Sequence, residues 1–229
     1  ADNKVEVVAY ANGDYGWSDL FAGATLMPGA SGSLVSFVPL TNSTGVAITD
    51  GSPGEAYFVD FGGSNATKLG DVGNAPRAVD CDDTLCVVTN FDSGTLSVFG
   101  PVSAGAGMGV LGTIDAGAGA VTARISPTHS GNHAVASSGF GDDTLWLTVL
   151  DDAGSELANL SLSSQDIAGS GVSLGGPGHA ALIGNGGAVG DQGALVATGN
   201  TSNNGAIVPV GWFFENTAFD AVTLLGATP

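Results

Sequence analysis

The sequence VVTNFDSGTLSVF at residues 87–99 has the pattern of two β-strands joined by a tight turn. Val87 and Val88 open it with β-branched side chains that suit a buried strand. Residues 90–94 supply turn chemistry, because Asn and Asp side chains bond their own backbone and Gly accepts a positive φ. Residues 96–99 then alternate apolar and polar, as in a half-buried strand. Similar hairpins recur along the chain, so this stretch predicts the architecture.

The recurrence has a measurable period. When the hairpins are aligned on Thr89, the equivalent residues are Tyr10, Thr49, Ser137 and Thr198, and the spacings are 39, 40, 48 and 61 residues. A period of about 40–45 residues with four short strands is typical of a β-propeller blade. No stretch keeps a helical period over three turns, so the sequence predicts an all-β protein.

Five hairpins predict five four-stranded blades in a single β-propeller domain over residues 1–229. We expect the two termini to pair within one blade, because ring closure removes open sheet edges. A two-sheet β-sandwich is the alternative, since sandwiches also place turns about every 8–12 residues.

The composition limits the partners. The 229 residues include 4 Lys and Arg against 22 Asp and Glu, a formal net charge of -18. Phosphate binding needs clustered cations, so a nucleic-acid partner is excluded. The acidity serves solubility through mutual repulsion, or it reflects a cation-rich setting or bound divalent cations. No apolar run of about 20 residues occurs, so we expect no transmembrane segment.

Two features favour an extracellular or cell-surface location. Cys81 and Cys86 are separated by four residues, and two strands joined by such a turn bring their ends within disulfide reach. A disulfide indicates an oxidising compartment; a pair of reduced core thiols is the alternative. The chain also begins at Ala1, as after cleavage of a leader, although a trimmed chain would look the same.

Four Asn-x-Ser/Thr sequons are candidate glycosylation sites. With so many Ser and Thr residues some sequons are expected by chance, so they permit glycosylation without showing it. The sequon residues are Asn42, Asn65, Asn159 and Asn200.

Two groups of acids lie in predicted turns, and we consider both as metal ligands. They are Asp80, Asp82 and Asp83, and further along Asp142 and Asp143. Calcium takes oxygen ligands from such turns, so it is the one candidate cofactor, and solvated turn acids are the alternative.

Histidine offers little chemistry. His129 and His133 flank a turn, and Asp142 is the candidate third ligand if they bind a metal; two turn-flanking polar residues are the simpler interpretation. The Gly-x-Ser-x-Gly spacing of hydrolases occurs at residues 171–175, but an all-β chain lacks the strand-to-helix turn that exposes the nucleophile in those enzymes. No catalytic residue is assigned.

Aromatic residues near both ends are the candidate ligand-binding or interface residues. Tyr15, Trp17 and Asp19 lie in a predicted early loop, and Trp212 and Phe213 lie near the C-terminus. Exposed aromatics beside acids suit sugar binding, because rings stack on the apolar faces of sugars. Packing between blades and a subunit interface are the alternatives.

The residues VVTN at 87–90, followed by GTLSV at 94–98, resemble the YVTN-type β-propeller repeat family. ITDG at 48–51 and DDTLW at 142–146 match in part. In that family the repeats occur in secreted and cell-surface proteins, including archaeal surface layers, and in seven-bladed lactonase-like enzymes. This chain is two blades short of the enzymes and its first and last units are irregular, so no enzymatic residue set carries over.

The sequence therefore predicts a secreted or cell-surface, non-catalytic propeller that acts in binding or extracellular assembly. The expected partners are other protein subunits, including copies of itself, or surface glycans. A carbohydrate-binding module is one alternative. A lactonase-like or other hydrolase on a calcium-containing propeller is the other.

Overall fold

The computed structural model describes residues 6–11, 14–19, 34–60, 62, 65–127, 131–163, 177–183, 192–199, 205–215 and 218–224. These ranges contain eighteen β-strands and one 3-10 helix at Val102–Gly107. The strands are β1 (Glu6–Ala11), β2 (Asp14–Asp19), β3 (Leu34–Pro39), β4 (Thr44–Thr49), β5 (Glu55–Asp60), β6 (Asn65–Asp71), β7 (Pro76–Cys81), β8 (Cys86–Asn90), β9 (Thr95–Gly100), β10 (Gly109–Asp115), β11 (Ala120–Pro127), β12 (Asn132–Gly139), β13 (Thr144–Asp151), β14 (Glu156–Ser163), β15 (Pro177–Ile183), β16 (Gln192–Gly199), β17 (Gly205–Glu215) and β18 (Ala218–Leu224). In these ranges no helix has the length and apolar character needed to cross a bilayer.

Four sheets each contain four consecutive antiparallel strands. They are β3–β6, β7–β10, β11–β14 and β15–β18, which we call blades one to four. The all-β prediction is confirmed, and the two-sheet sandwich is wrong because the strands divide into four separate sheets. The hairpin β1–β2 forms a two-stranded sheet of its own. The five-blade count and the pairing of the termini stay predictions.

The first strand of each blade lies on the inside. β3 contacts β7, β7 contacts β11 and β11 contacts β15, so these strands follow one another along the inner edges of the blades. The last strands, β6, β10, β14 and β18, form the opposite edges of the four sheets. This is the arrangement that the repeat pattern predicts for a propeller.

The blades share a second regularity, which the sequence does not show. Each inner strand carries one bulge against its neighbour, at Val35, Arg77, Val121 and Gly178. Each outer strand also carries one bulge, at Leu69, Leu111, Leu157 and Asp220. A bulge bends its strand and increases the twist, and recurrence at equivalent positions indicates that the four sheets are copies of one unit.

The hairpin at residues 87–99 is β8 and β9, the two middle strands of blade two. Our alignment treats it as the repeating unit, and the structure places it one strand away from the inner edge. The predicted disulfide is confirmed: Cys81 and Cys86 face each other across β7 and β8, with Cα atoms 4.1 Å apart, and their sulfurs are bonded. It joins the hairpin to the inner strand.

Adjacent residues of this hairpin enter two different cores. Val87 packs in the cluster between blades two and three, and Val88 packs in the cluster between blades one and two. Successive side chains on a strand point to opposite faces of the sheet. Both residues are fully buried, which explains why the strand opens with two consecutive apolar side chains.

Thr89 and Asn90, which follow the two valines, are also buried. The Thr89 hydroxyl accepts the Ala78 amide at 3.0 Å and donates to the Val121 carbonyl of blade three at 3.1 Å. Asn90 accepts the Gly73 amide at 3.0 Å through its side-chain oxygen. These bonds tie the hairpin to its own blade and to the next one.

Replacing Thr89 by valine should destabilise the fold, whereas the same change at the equivalent Thr49 should not. The Thr89→Val substitution leaves partly buried backbone groups without their partner, which costs about 1–3 kcal/mol. The Thr49 hydroxyl is buried and has no hydrogen-bond partner in the described part of the chain, so Thr49→Val should be neutral or stabilising. Urea unfolding of both variants measures the difference, and equal losses would contradict this role for Thr89.

Candidate functional site

A cleft of about 380 Å³ opens where the β8–β9 turn of blade two meets blade three. Three segments line it: the turn at 92–94, the β10–β11 connection at 115–119, and Trp146 of β13. We call it the Trp146 cleft. It contains one aromatic ring, three glycines and the carboxylates of Asp92 and Asp115.

The indole of Trp146 is held in one orientation. Its Nε1–H donates to the Thr144 hydroxyl at 2.8 Å, and that hydroxyl donates to one carboxylate oxygen of Asp142. The other oxygen of Asp142 accepts the backbone amide of Ala118 at 3.0 Å. Because the indole N–H is used inside the protein, the ring offers its apolar surface to the cleft.

Glycine is required beside this ring. A Cβ on Gly117 would lie 2.4 Å from Trp146 Nε1, and Gly117 has a φ of +77°. Any larger residue would therefore displace the indole and strain the backbone. The turn and the connection are joined by a backbone hydrogen bond of 2.9 Å from Ala116 to Gly94.

The two carboxylates of the cleft are open to a ligand. Asp92 and Asp115 are exposed, and neither carboxylate has a hydrogen-bond or ion-pair partner among the described residues. An ionised carboxylate only accepts hydrogen bonds. The cleft therefore combines a fixed apolar ring with acceptors for a ligand that carries hydroxyl or ammonium groups.

A second polar cluster joins blades two and three at the other end of β12. His133 Nδ1 lies 2.6 Å from Asp82 Oδ2, and His133 Nε2 lies 2.9 Å from Asp152 Oδ1. Asp82 also accepts the amides of Thr84 and Leu85 at 2.8 and 2.9 Å. An imidazolium can donate to both carboxylates, whereas a neutral ring has only one N–H.

The pKa shifts agree with a charged bridge. Burial favours the neutral imidazole, but the hydrogen bonds and charges of Asp82 and Asp152 outweigh it and raise the pKa of His133. Burial also disfavours the carboxylate of Asp82, but His133 and the two backbone amides lower the pKa of Asp82. The side chains of His133 and Asp82 are only 3% and 5% exposed, so solvent screens this pair little.

The acids considered as metal ligands lie in two separate places. Asp80, Asp82 and Asp83 lie at the end where His133 sits, and Asp142 and Asp143 lie in the β12–β13 turn, about 25 Å away along the strand. Asp142 is therefore wrong as a third ligand for His133. His129 lies outside the described residues. In the described ranges, no three His, Cys, Asp or Glu side chains are grouped to hold a metal ion. Calcium stays a prediction.

Asp80 has a structural partner. Its Oδ2 accepts the Ile125 amide at 3.0 Å, and its Oδ1 lies 3.8 Å from Arg124 Nη1. Burial raises the pKa of Asp80, and the Ile125 amide and Arg124 offset part of that effect. Asp80 thus links β7 to the inner strand of blade three.

The predicted aromatic sites lie on strands. Tyr15, Trp17 and Asp19 belong to β2 and not to a loop, and strand alternation puts these three positions on one face of the hairpin. Trp212 and Phe213 belong to β17, opposite positions 222 and 221 of β18. Their side chains lie outside the description, so a ligand site there stays a prediction.

Trp146 is the residue that sequence reasoning missed. The sequence carries a signal, because Thr144, Trp146 and Thr148 alternate with Leu145 and Leu147. In the structure the two leucines are fully buried on one face of β13. A tryptophan between two threonines on one strand face indicates a partly polar environment. The contact with residues 115–119 has no signal in the sequence, since it depends on how two blades pack.

The sequons differ in their surroundings. Asn42 is exposed in the β3–β4 turn and Asn65 is exposed at the start of β6. Asn159 uses both ends of its amide, donating to the Asp115 carbonyl at 3.0 Å and accepting from Thr148 at 2.9 Å. Asn200 lies outside the described residues.

No protein-family model matches this sequence, and no curated protein does. Solved structures are similar in fold. A protein from Lactobacillus plantarum has a TM-score of 0.51 and 20% identity, with 87% of this chain and 57% of that chain covered. A proposed 6-phosphogluconolactonase from Bacteroides fragilis has a TM-score of 0.52 and 13% identity, with 95% and 74% covered. The SapL1 lectin, in complex with alpha methyl fucoside, has a TM-score of 0.50 and 15% identity, with 100% and 73% covered.

These likenesses, together with the four sheets, define a propeller-like all-β fold. The identities are too low to show more than the fold. This chain also spans only a little more than half of the Lactobacillus protein, at 57% of its length.

The His133 bridge should make stability fall as pH rises. The pKa of His133 is raised on folding, so its contribution is complete below the unfolded pKa of about 6.5 and is lost as pH rises through the folded pKa. The pKa of Asp82 is lowered, so its contribution is present above about pH 3.9 and is lost as pH falls through the folded pKa. We expect the bridge to stabilise most between about pH 4 and pH 6.5.

Urea unfolding at pH 5.5 and pH 8.5 tests this dependence. His133→Gln should lose about 1–3 kcal/mol at pH 5.5 and should lose less at pH 8.5. His179→Gln is the control, because His179 is exposed on β15. A His133→Gln variant with the same pH dependence as the parent protein would contradict the charged bridge.

Proposed function

We propose that this chain is an extracellular, non-catalytic propeller of the YVTN type, and that its Trp146 cleft binds a neutral carbohydrate. The observation that supports it most is the orientation of one indole ring beside two carboxylates that have no hydrogen-bond or ion-pair partner among the described residues. The disulfide between Cys81 and Cys86 supports the extracellular location.

The chemistry of the cleft fits a sugar ring. A pyranose has an apolar face, which packs on the ring of an aromatic side chain, and hydroxyl groups around its edge. Those hydroxyls would donate to Asp92 and Asp115, which accept hydrogen bonds and cannot donate them when ionised. Anionic sugars would meet these carboxylates without any cation among the lining residues, so a neutral sugar is favoured.

We further propose that the hairpin β1–β2 belongs to a fifth blade. The alignment of the hairpins supports this, because Tyr10 of β1 occupies the position that Thr49 and Thr89 occupy in blades one and two. The carbohydrate proposal does not depend on the blade count, since its cleft lies between blades two and three.

A glycan array followed by titration calorimetry tests the carbohydrate proposal. Trp146→Ala should weaken binding of the best neutral glycan about thirtyfold, the equivalent of ~2 kcal/mol for a central aromatic contact. The double change of Asp92 and Asp115 to Asn should also weaken it, and Asp83→Asn, at the other end of the blades, should not. Repeating the titration with a chelator shows whether calcium takes part. A blank array, or full binding by Trp146→Ala, would contradict the proposal.

Assembly is a second candidate function, favoured by the outer bulges. Leu111 of β10 and Leu157 of β14 are each 42% exposed, although leucine is usually buried. Both occupy the same bulge position in adjacent blades. The two side chains thus form a repeated apolar feature on the outer edge.

Light scattering after size exclusion tests assembly. If the outer edge mediates it, the parent protein should form oligomers and the Leu111→Ser, Leu157→Ser double variant should be monomeric. A parent protein that stays monomeric at high concentration would contradict this second function.

A further inference from the structure

A larger cleft lies at the opposite end of the blades from Trp146. Its volume is about 420 Å³, within the range of about 300–1,000 Å³ that is common for small-molecule sites. It lies between blades one and two, and its walls come from the β3–β4 turn, Phe58 of β5, the β7–β8 turn and the 3-10 helix. We call it the Phe58 cleft.

The floor of this cleft is apolar. Leu40, Phe58 and Val102 are partly buried and pack on the core cluster between blades one and two. Their remaining surface faces the cleft, where they are lining residues. A ligand with an apolar chain would remove that surface from water, which is favourable at about 25 cal/mol per Å².

The charge of the cleft is set by one residue. Its lining includes two carboxylates and no cation. Asp82 is already engaged by His133 and by two backbone amides. Asp83 is exposed and has no hydrogen-bond or ion-pair partner in the described part of the chain. A cationic group would therefore meet one uncompensated carboxylate beside an apolar floor.

We propose that the Phe58 cleft binds a primary alkylammonium group, with its chain on Phe58 and its ammonium paired with Asp83. An ammonium has three N–H donors, so one carboxylate leaves donors to satisfy. Thr44 and Ser103 also line the cleft, and a hydroxyl oxygen can accept such donors even when, as in Thr44, it already pairs with Thr41. The ammonium can belong to a free amine or to a lysine side chain of a partner, which share this chemistry. The proposal is independent of carbohydrate binding at Trp146.

An NMR titration of the full chain tests the proposal. Hexylammonium chloride, hexanol and sodium hexanoate have the same chain and differ in charge. Hexylammonium should shift the backbone amides of Thr44 and Val102, and should bind about fivefold more tightly than hexanol, the equivalent of ~1 kcal/mol for an exposed ion pair. Hexanoate should bind more weakly than hexanol.

Two variants of one exposed residue keep the test decisive. Asp83→Asn should remove the fivefold preference for the amine, and Asp83→Lys should reverse it in favour of hexanoate. Asp92→Asn is the matched control, because it removes a carboxylate from the other cleft and should change nothing here. Equal binding of hexylammonium and hexanol to the parent protein would overturn the proposal, and so would an unchanged preference in Asp83→Asn.

A further titration with Nα-acetyl-lysine amide distinguishes a free amine from a lysine side chain of a partner as the ligand. Binding comparable to hexylammonium supports a lysine of a partner protein as the natural ligand. Binding of hexylammonium alone supports a free amine. Absence of binding by either compound would overturn the proposal without bearing on the carbohydrate site.

Discussion

The structure depends on one constraint: a blade that lies between two others has two apolar faces, and a neighbouring blade must cover each of them. Val87 and Val88 are adjacent in the chain yet belong to different cores. A single blade would leave both side chains exposed to water, so we expect no blade to be stable alone. Thr89 makes this packing more specific, because its hydroxyl donates a hydrogen bond to the Val121 carbonyl of the next blade.

This constraint explains what the sequence could predict. The alternation of apolar and polar residues, the period of the hairpins and the turn residues are local, so the strands and their grouping in fours were predictable. The disulfide was predictable because it spans one short turn. The two consecutive apolar residues Val87 and Val88 themselves indicate that both faces of the strand are covered.

The candidate site was less predictable, for physical reasons. Trp146 meets residues 115–119 across the boundary between two blades, and His133 meets Asp82 across the same boundary. Such contacts depend on the angle between sheets, which no short pattern encodes. The acids predicted as metal ligands divide instead into structural partners, such as Asp82 and Asp142, and Asp83, whose carboxylate has no hydrogen-bond or ion-pair partner among the described residues. Exposure and hydrogen bonding, not residue type, separate these groups.

Gly117 has a consequence for how the cleft beside Trp146 can change over time. Any side chain at this position would meet the indole, the Thr144 hydroxyl and the Asp142 carboxylate at once. Substitutions at Asp92 and Asp115 can therefore change the rim of the cleft, because these carboxylates have no hydrogen-bond or ion-pair partner among the described residues. A substitution at Gly117 would displace the indole. We therefore expect related chains with this cleft to vary at the two acidic positions and to keep glycine at position 117, so that the chemistry of the rim changes while the placement of the indole does not.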